Sequence, residues 1–222
     1  MTDHTTRTRF GRTLAAGALA AAAATGAAVP AAAATGGERT DNPGIVALTD
    51  ERGNQLCSAV LIDAQWALTW EGPLHCGTAT GATGDSHDRV GIDRRETPGR
   101  GPGASQAMLV HFDAPIQRVT PARLSDQAPK AGETLTVVAY NGPEGVNHLL
   151  SLGSSPITVE GASVWNSWYG APTSMKLETG RDAGAPILRD GEVVGFTELV
   201  TETSTTAESV ANVLDWIRAT AT

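Results

Sequence analysis

Arg181-Asp182-Ala183-Gly184-Ala185-Pro186-Ile187-Leu188 is the stretch on which the reading of this chain turns. An aspartate, small residues and a proline run into an apolar pair. Asp-Xaa-Gly-Xaa-Pro by itself is common in any chain that turns often. Its weight comes from the runs that accompany it in order. Pro43-Gly44-Ile45-Val46-Ala47-Leu48 comes first, followed by Cys57-Ser58-Ala59-Val60-Leu61-Ile62-Asp63-Ala64-Gln65-Trp66-Ala67-Leu68-Thr69. Gln106-Ala107-Met108-Leu109-Val110-His111-Phe112-Asp113-Ala114-Pro115 is the next, then Ala131-Gly132 with Val137-Val138-Ala139-Tyr140-Asn141-Gly142. Val210 with Leu214-Asp215-Trp216-Ile217 closes the series.

Composition points to the same class. With 25 glycines and 12 prolines in 222 residues, short Val/Leu/Thr runs are punctuated by turns, as in an all-β sandwich or barrel able to bury one or two cores. One segment reads as helical. From Thr206 to Ala219 the apolar residues Ala207, Val210, Val213, Leu214 and Ile217 recur at three- and four-residue steps and make one apolar face.

Taken together, from about Gly36 to Arg218, these runs resemble the trypsin/chymotrypsin-like serine proteases. The opening stretch is similar to the family's nucleophile loop, Gly-Asp-Ser-Gly-Gly-Pro. The Cys57 run resembles the one that leads to the catalytic histidine, and the Gln106 run the strand that begins with the catalytic aspartate. The resemblance implies an all-β fold of two antiparallel Greek-key β-barrels with a C-terminal α-helix. It divides the chain into a signal segment (1–34), an N-terminal barrel (35–125), a C-terminal barrel (126–205) and a closing helix with tail (206–222).

The signal segment rests on its own residues. Arg7, Arg9 and Arg12 give a basic start, Leu14 to Val29 is an alanine-rich apolar run, and Ala31 to Ala34 offer small residues for cleavage near Ala34. The expected product is a secreted, extracellular protein. The alternative is an uncleaved anchor, although Gly17, Gly26 and Pro30 break the run. Cleavage removes three arginines and one aspartate, so a net charge of −8 becomes −10. That balance argues against nucleic acid and anionic membrane surfaces as partners. Cys57 and Cys76 suit an oxidising compartment, where an even count usually means a bridge. In the resembled family the matching pair clamps the histidine loop. Two free buried thiols are the alternative.

Acyl transfer of the family's kind needs a hydroxyl nucleophile, an imidazole base and a carboxylate that fixes the imidazole tautomer. His75, just before Cys76, matches the base. The segment from Trp66 to Cys76 is longer than the family pattern and carries Trp70-Glu71-Gly72-Pro73-Leu74, so His75 either still faces the cleft or is a polar loop residue. Gln106 stands at the carboxylate position. A neutral amide there costs about four orders of magnitude in turnover in the triad template. Ala183 stands at the nucleophile, and a methyl group cannot attack a carbonyl. Arg181 and Ala183 match the residues whose amides form the oxyanion hole, and Ala185 replaces a further glycine. Asp182 is retained, but Ala34-Thr35-Gly36-Gly37 lacks the apolar start that such an aspartate receives after zymogen cleavage.

The pocket positions have changed as well. Leu177 stands at the pocket base, and Glu198-Leu199-Val200 replaces a Ser-Trp-Gly strand, so that Val200 is expected to narrow the entrance and Glu198 to put charge beside the old triad. The resulting expectation is a non-catalytic protease homologue that binds peptide or protein partners and takes no cofactor. Its contact strip is Glu198 to Val200 with the Trp165, Trp168 and Tyr169 cluster alongside, and Glu198 favours basic segments. The alternative is a hydrolase using another serine, such as Ser86, Ser174 or Ser204. Ser86-His87-Asp88 is a solvated turn, since sequence neighbours cannot converge into a triad. His111 and His148 read as solvent-facing. No metal site is expected; a calcium site on Asp85, Asp88 and Asp93 lacks a recognisable loop pattern.

Overall fold

The computed structural model describes residues 37–72, 76–86, 88–99, 104–141, 151–162, 167–201 and 203–221, all within one compact unit, Ala31–Thr222. The signal segment, His75, His87, His148 and Trp165 lie outside the described residues. After a short strand β1 (Glu38–Arg39) come β2 (Ile45–Thr49), β3 (Gln55–Asp63), β4 (Trp66–Trp70), β5 (Gly81–Thr83), β6 (Arg89–Glu96) and β7 (Ala107–Phe112). These last six close a barrel in the order β2-β3-β4-β7-β6-β5. A short β8 (Arg123–Leu124) leads to β9 (Thr134–Asn141), β10 (Ser151–Ala162), β11 (Ser167–Pro172), β12 (Pro186–Arg189), β13 (Glu192–Val200) and β14 (Thr205–Ser209). They form a second ring, β9-β10-β11-β14-β13-β12, closed where β9 pairs with both β10 and β12. The fold is therefore two six-stranded antiparallel barrels with a C-terminal helix, α1 (Leu214–Thr220).

The strands read as continuous apolar runs because both of their faces are buried. In β3, Cys57, Ala59 and Leu61 point into the first barrel, while Val60, between them, joins a second cluster outside it. In β7, Met108 and Val110 point inward, and Ala107 and Leu109 outward. The outward residues meet Val193 and Phe196 of β13, together with Val210, Leu214 and Ile217. Period-two alternation thus builds one barrel core and the seam that joins it to the second barrel. Cys57 and Cys76 are bonded, with Cα atoms 5.5 Å apart, inside the first core.

Two features differ from the sequence reading. The segment 206–219 is not one helix: β14 runs to Ser209, a 3₁₀ turn covers Val210–Asn212, and α1 starts at Leu214. Ala207 and Val210, which looked like one stripe, go to different cores. Thr205 and Thr206 are β-branched, and β14 pairs with both β11 and β13, so strand wins over helix. In addition, β1 and β8, from the N-terminal half, pair with β10 and β13 of the second barrel.

Candidate active site

The loop from Leu177 to Ala185 is pinned against the first barrel. Ser58 donates its backbone N–H to the Ala183 carbonyl at 2.9 Å, and the Ser58 hydroxyl and Gln55 amide reach the Arg181 carbonyl at 3.0 and 3.2 Å. Gly184 has φ +82°, and a Cβ there would lie 2.0 Å from the Ser58 carbonyl oxygen and 2.4 Å from Thr69 Oγ1. Only glycine fits that close approach in a left-handed conformation. On the other side Gly184 donates to the Thr197 carbonyl at 2.7 Å, and Ala185 donates to Thr197 Oγ1 at 3.0 Å.

Within the loop the backbone closes on itself. Asp182 N–H donates to the Glu178 carbonyl at 3.2 Å, and Ala183 N–H donates to the Gly180 carbonyl at 3.1 Å. Ala183 is 1% exposed, and its methyl packs in the first-barrel core that also holds Cys57, Cys76 and Met108. The Ala183 amide is already spent inside the loop, and no reactive group projects from this residue. The Arg181 side chain turns back to pair with Glu178. Asp182 is buried, and one carboxylate oxygen accepts the Glu178 amide at 2.5 Å. Burial foremost, with the Glu178 charge adding to it, pushes its pKa up to about 7, against the lowering effect of the amide bond and Arg181.

Gln106 is exposed at the start of β7, and its Oε1 accepts the Trp70 indole N–H at 2.9 Å. Trp70, at the end of β4, therefore holds the amide that stands at the expected carboxylate position. The backbone N–H of Gln106 donates to Glu208 Oε2 at 3.1 Å. Glu208 is 1% exposed and its Oε1 has no partner. Burial pushes the Glu208 pKa up, while bonds from Ser105 and the Gln106 amide lower it. Glu198 is half-buried nearby; burial raises its pKa to about 7, and hydroxyls of Ser167 and Thr206 bond it while the Glu208 charge raises it further. The expected charge at Glu198 is thus a partly protonated, hydrogen-bonded carboxyl. Sequence reading missed Glu208 because it lay inside the segment taken as helix.

Leu177 and Val200 are 5% and 3% exposed and both line a cavity of about 350 Å³. Val200 lines this space without closing it. The aromatic cluster splits: Trp168 is buried in the second barrel core, whereas Tyr169 is 37% exposed. Tyr169 and Leu199, 45% exposed, are the large exposed hydrophobics among the described residues. They flank Thr206, which faces Tyr169 in register and accepts the Leu199 amide on its hydroxyl at 3.2 Å.

His111 is the one histidine among the described residues, and it is committed elsewhere. Its Nδ1 lies 2.7 Å from Asp93, and its ring packs edge-on against Trp66. That pairing leaves it only partly exposed. The Ser174 hydroxyl donates to Ser155 at 3.1 Å. Asp85 bonds Asn42 and Asp93 bonds His111, and the described residues contain no cluster of three or more metal-ligating side chains.

A family model described as Trypsin matches residues 33–217. No curated protein matches the sequence. Among solved structures, the chain is similar to the scabies mite inactivated protease paralogue S-I1, with TM-score 0.67 and 18% identity over 83% of this chain and 98% of that one. Human heparin binding protein gives 0.65 and 18%, over 84% and 96%. Neuropsin, a serine protease from mouse brain, gives 0.65 and 15%, over 84% and 99%. At these identities the likeness carries the fold and leaves the chemistry to the residues themselves.

Proposed function

We propose, from the premise that this chain belongs to the trypsin family, that it is a secreted, non-catalytic member that holds peptide or protein segments in its cleft without cutting them. The observation that carries the reading is the state of Ala183: a buried methyl where the attack would start, with its amide bonded to Gly180. Stabilising an oxyanion needs preorganised donors aimed at the developing charge, and an amide satisfied within its own loop is not one. The Trp70 bond to Gln106 supports the same reading, because it anchors a neutral amide where the imidazole would need a carboxylate. Export with cleavage near Ala34 is part of the proposal.

The binding half rests on the strip beside the old cleft. Leu199 on β13 and Tyr169 on β11 are exposed on either side of β14, next to a cavity, and an extended segment laid over them would be held by its main chain with side chains in the pocket. The test uses protein purified from culture supernatant and partners recovered on it, with Tyr169→Ala and Leu199→Ser as variants. Recovered partners should be intact by mass spectrometry and depleted by either substitution. Partners recovered as fragments would speak for a hydrolase working through another serine such as Ser86, Ser174 or Ser204. Partners retained equally by both variants would move the binding surface elsewhere.

A further inference from the structure

The outer face of β11, β14 and β13 carries two carboxyls among hydroxyls. In register, Ser167 faces Glu208 and Tyr169 faces Thr206, while Trp168 and Ala207 between them point into the second-barrel core. Alternation therefore gathers Ser167, Tyr169, Thr206 and Glu208 on one face. From the other side Phe196 faces Glu208, and Glu198 stands two residues further along β13. Glu198 joins the same face through bonds from the Ser167 and Thr206 hydroxyls, and it lies close enough to Glu208 to feel its charge.

The bonds that these two acids make come from uncharged donors. Ser167 and Thr206 meet Glu198; Ser105 and the Gln106 amide meet Glu208. Glu208 is 1% exposed, and its Oε1 is buried without a partner. A buried acceptor left unmet is unfavourable, and more so when it is ionised. Burial opposes ionisation at both residues, and the Glu208 charge adds to that at Glu198. A nearby positive charge relieves both effects.

The setting of Glu198 says which kind of cation fits. It is half-buried, and the exposed Tyr169 and Leu199 stand on either side of Thr206, which bonds it. A ligand hydroxyl or amide would bring a donor without charge, and a carboxylate would meet like charge. A lysine or arginine side chain brings donors and charge together, and its aliphatic stem can lie on the ring and the leucine.

We infer that Glu198 and Glu208 form an acidic subsite for a lysine or arginine side chain of the held segment, Glu198 meeting the charged head, Glu208 adding its charge from beneath, and Tyr169 and Leu199 supporting the stem. The inference rests on the reading of the cleft as a peptide-holding surface and names the side chain that this surface selects.

Fluorescence anisotropy with labelled peptide pools tests it. Both ends are blocked, the flanking positions are randomised over uncharged residues, and one central position is fixed as Arg, Lys, Gln or Glu. The Arg and Lys pools should bind about three- to tenfold more tightly than the Gln pool, with Glu weakest. In Glu198→Gln that ratio should fall below about twofold. Glu208→Gln, which keeps an oxygen for the Gln106 amide, should lower it too; if circular dichroism shows this variant unfolded, Glu198→Gln carries the test alone. Asp190→Asn removes one charge from the exposed turn at the opposite end of β13 and should leave the ratio unchanged. Equal binding of all pools, a Glu preference, a basic preference that survives Glu198→Gln or a folded Glu208→Gln, or one that falls equally in Asp190→Asn overturns the inference and leaves the peptide-holding cleft standing. Failure of every pool to bind overturns the cleft reading and this inference with it.

Discussion

Ala183 has its methyl in the first-barrel core and its amide in a bond to Gly180, so a serine at this position gains a hydroxyl without gaining a site. The Ala183→Ser variant should therefore show no peptide hydrolysis above the wild-type background with a broad set of chromogenic peptides. Groups that act as one catalytic unit fail together when any is missing, and Gln106 remains neutral. Measurable turnover by this variant would mean that the loop reopens readily.

Asp182 carries the clearest pH signature. Its folded pKa, raised to about 7 from an ordinary value of 3.8, means that the folded protein binds a proton over that interval more strongly than the unfolded chain does. Stability tied to Asp182 is present below about pH 4 and is lost as pH rises toward 7. Glu198 and Glu208 are shifted in the same direction. Melting temperature should consequently fall between pH 5 and pH 8, and Asp182→Asn, which can still accept the Glu178 amide, should make that fall smaller. An identical pH profile in the variant would remove Asp182 from this role.

At the scale of elements, the bridge between Cys57 in β3 and Cys76 closes the segment that carries His75. Cys57→Ser should lower stability by roughly 2–5 kcal/mol in chemical denaturation, the usual range for losing a native bridge. A loss under 1 kcal/mol would mean that packing around Cys76 holds the loop unaided.

Strands with strong apolar runs were legible in the sequence. Ile45 to Thr49, the Cys57 run and the Gln106 run all lie in the first barrel, where burial on both faces leaves an unbroken apolar signal. The 206–219 segment was not legible, because spacing alone cannot show that Ala207 and Val210 serve different cores. At the candidate site, an alanine at 183 and a neutral glutamine at 106, where the resemblance leads one to expect a hydroxyl and a carboxylate, could be read directly. The bonds that complete the picture, Ala183 to Gly180 and Trp70 to Gln106, depend on loop closure and were invisible.

For the molecule as a whole, the arrangement is the trypsin-family frame of two barrels and a closing helix. Val60, Leu68 and Leu109 of the first barrel pack with Val193 and Phe196 of the second, and the closing helix adds Leu214 and Ile217 to the same seam. The altered loop reaches across from the second barrel to β3 through Ser58, and Gly184 is what allows that contact. A preorganised surface binds with less ordering cost than a loose one. The central claim, binding without catalysis, is tested most directly by intact-protein mass spectrometry after exposure of the purified protein to a serine-reactive fluorophosphonate. The expected result is an unchanged mass at reagent levels that label an active protease completely. A single adduct mapped to one serine would contradict the account.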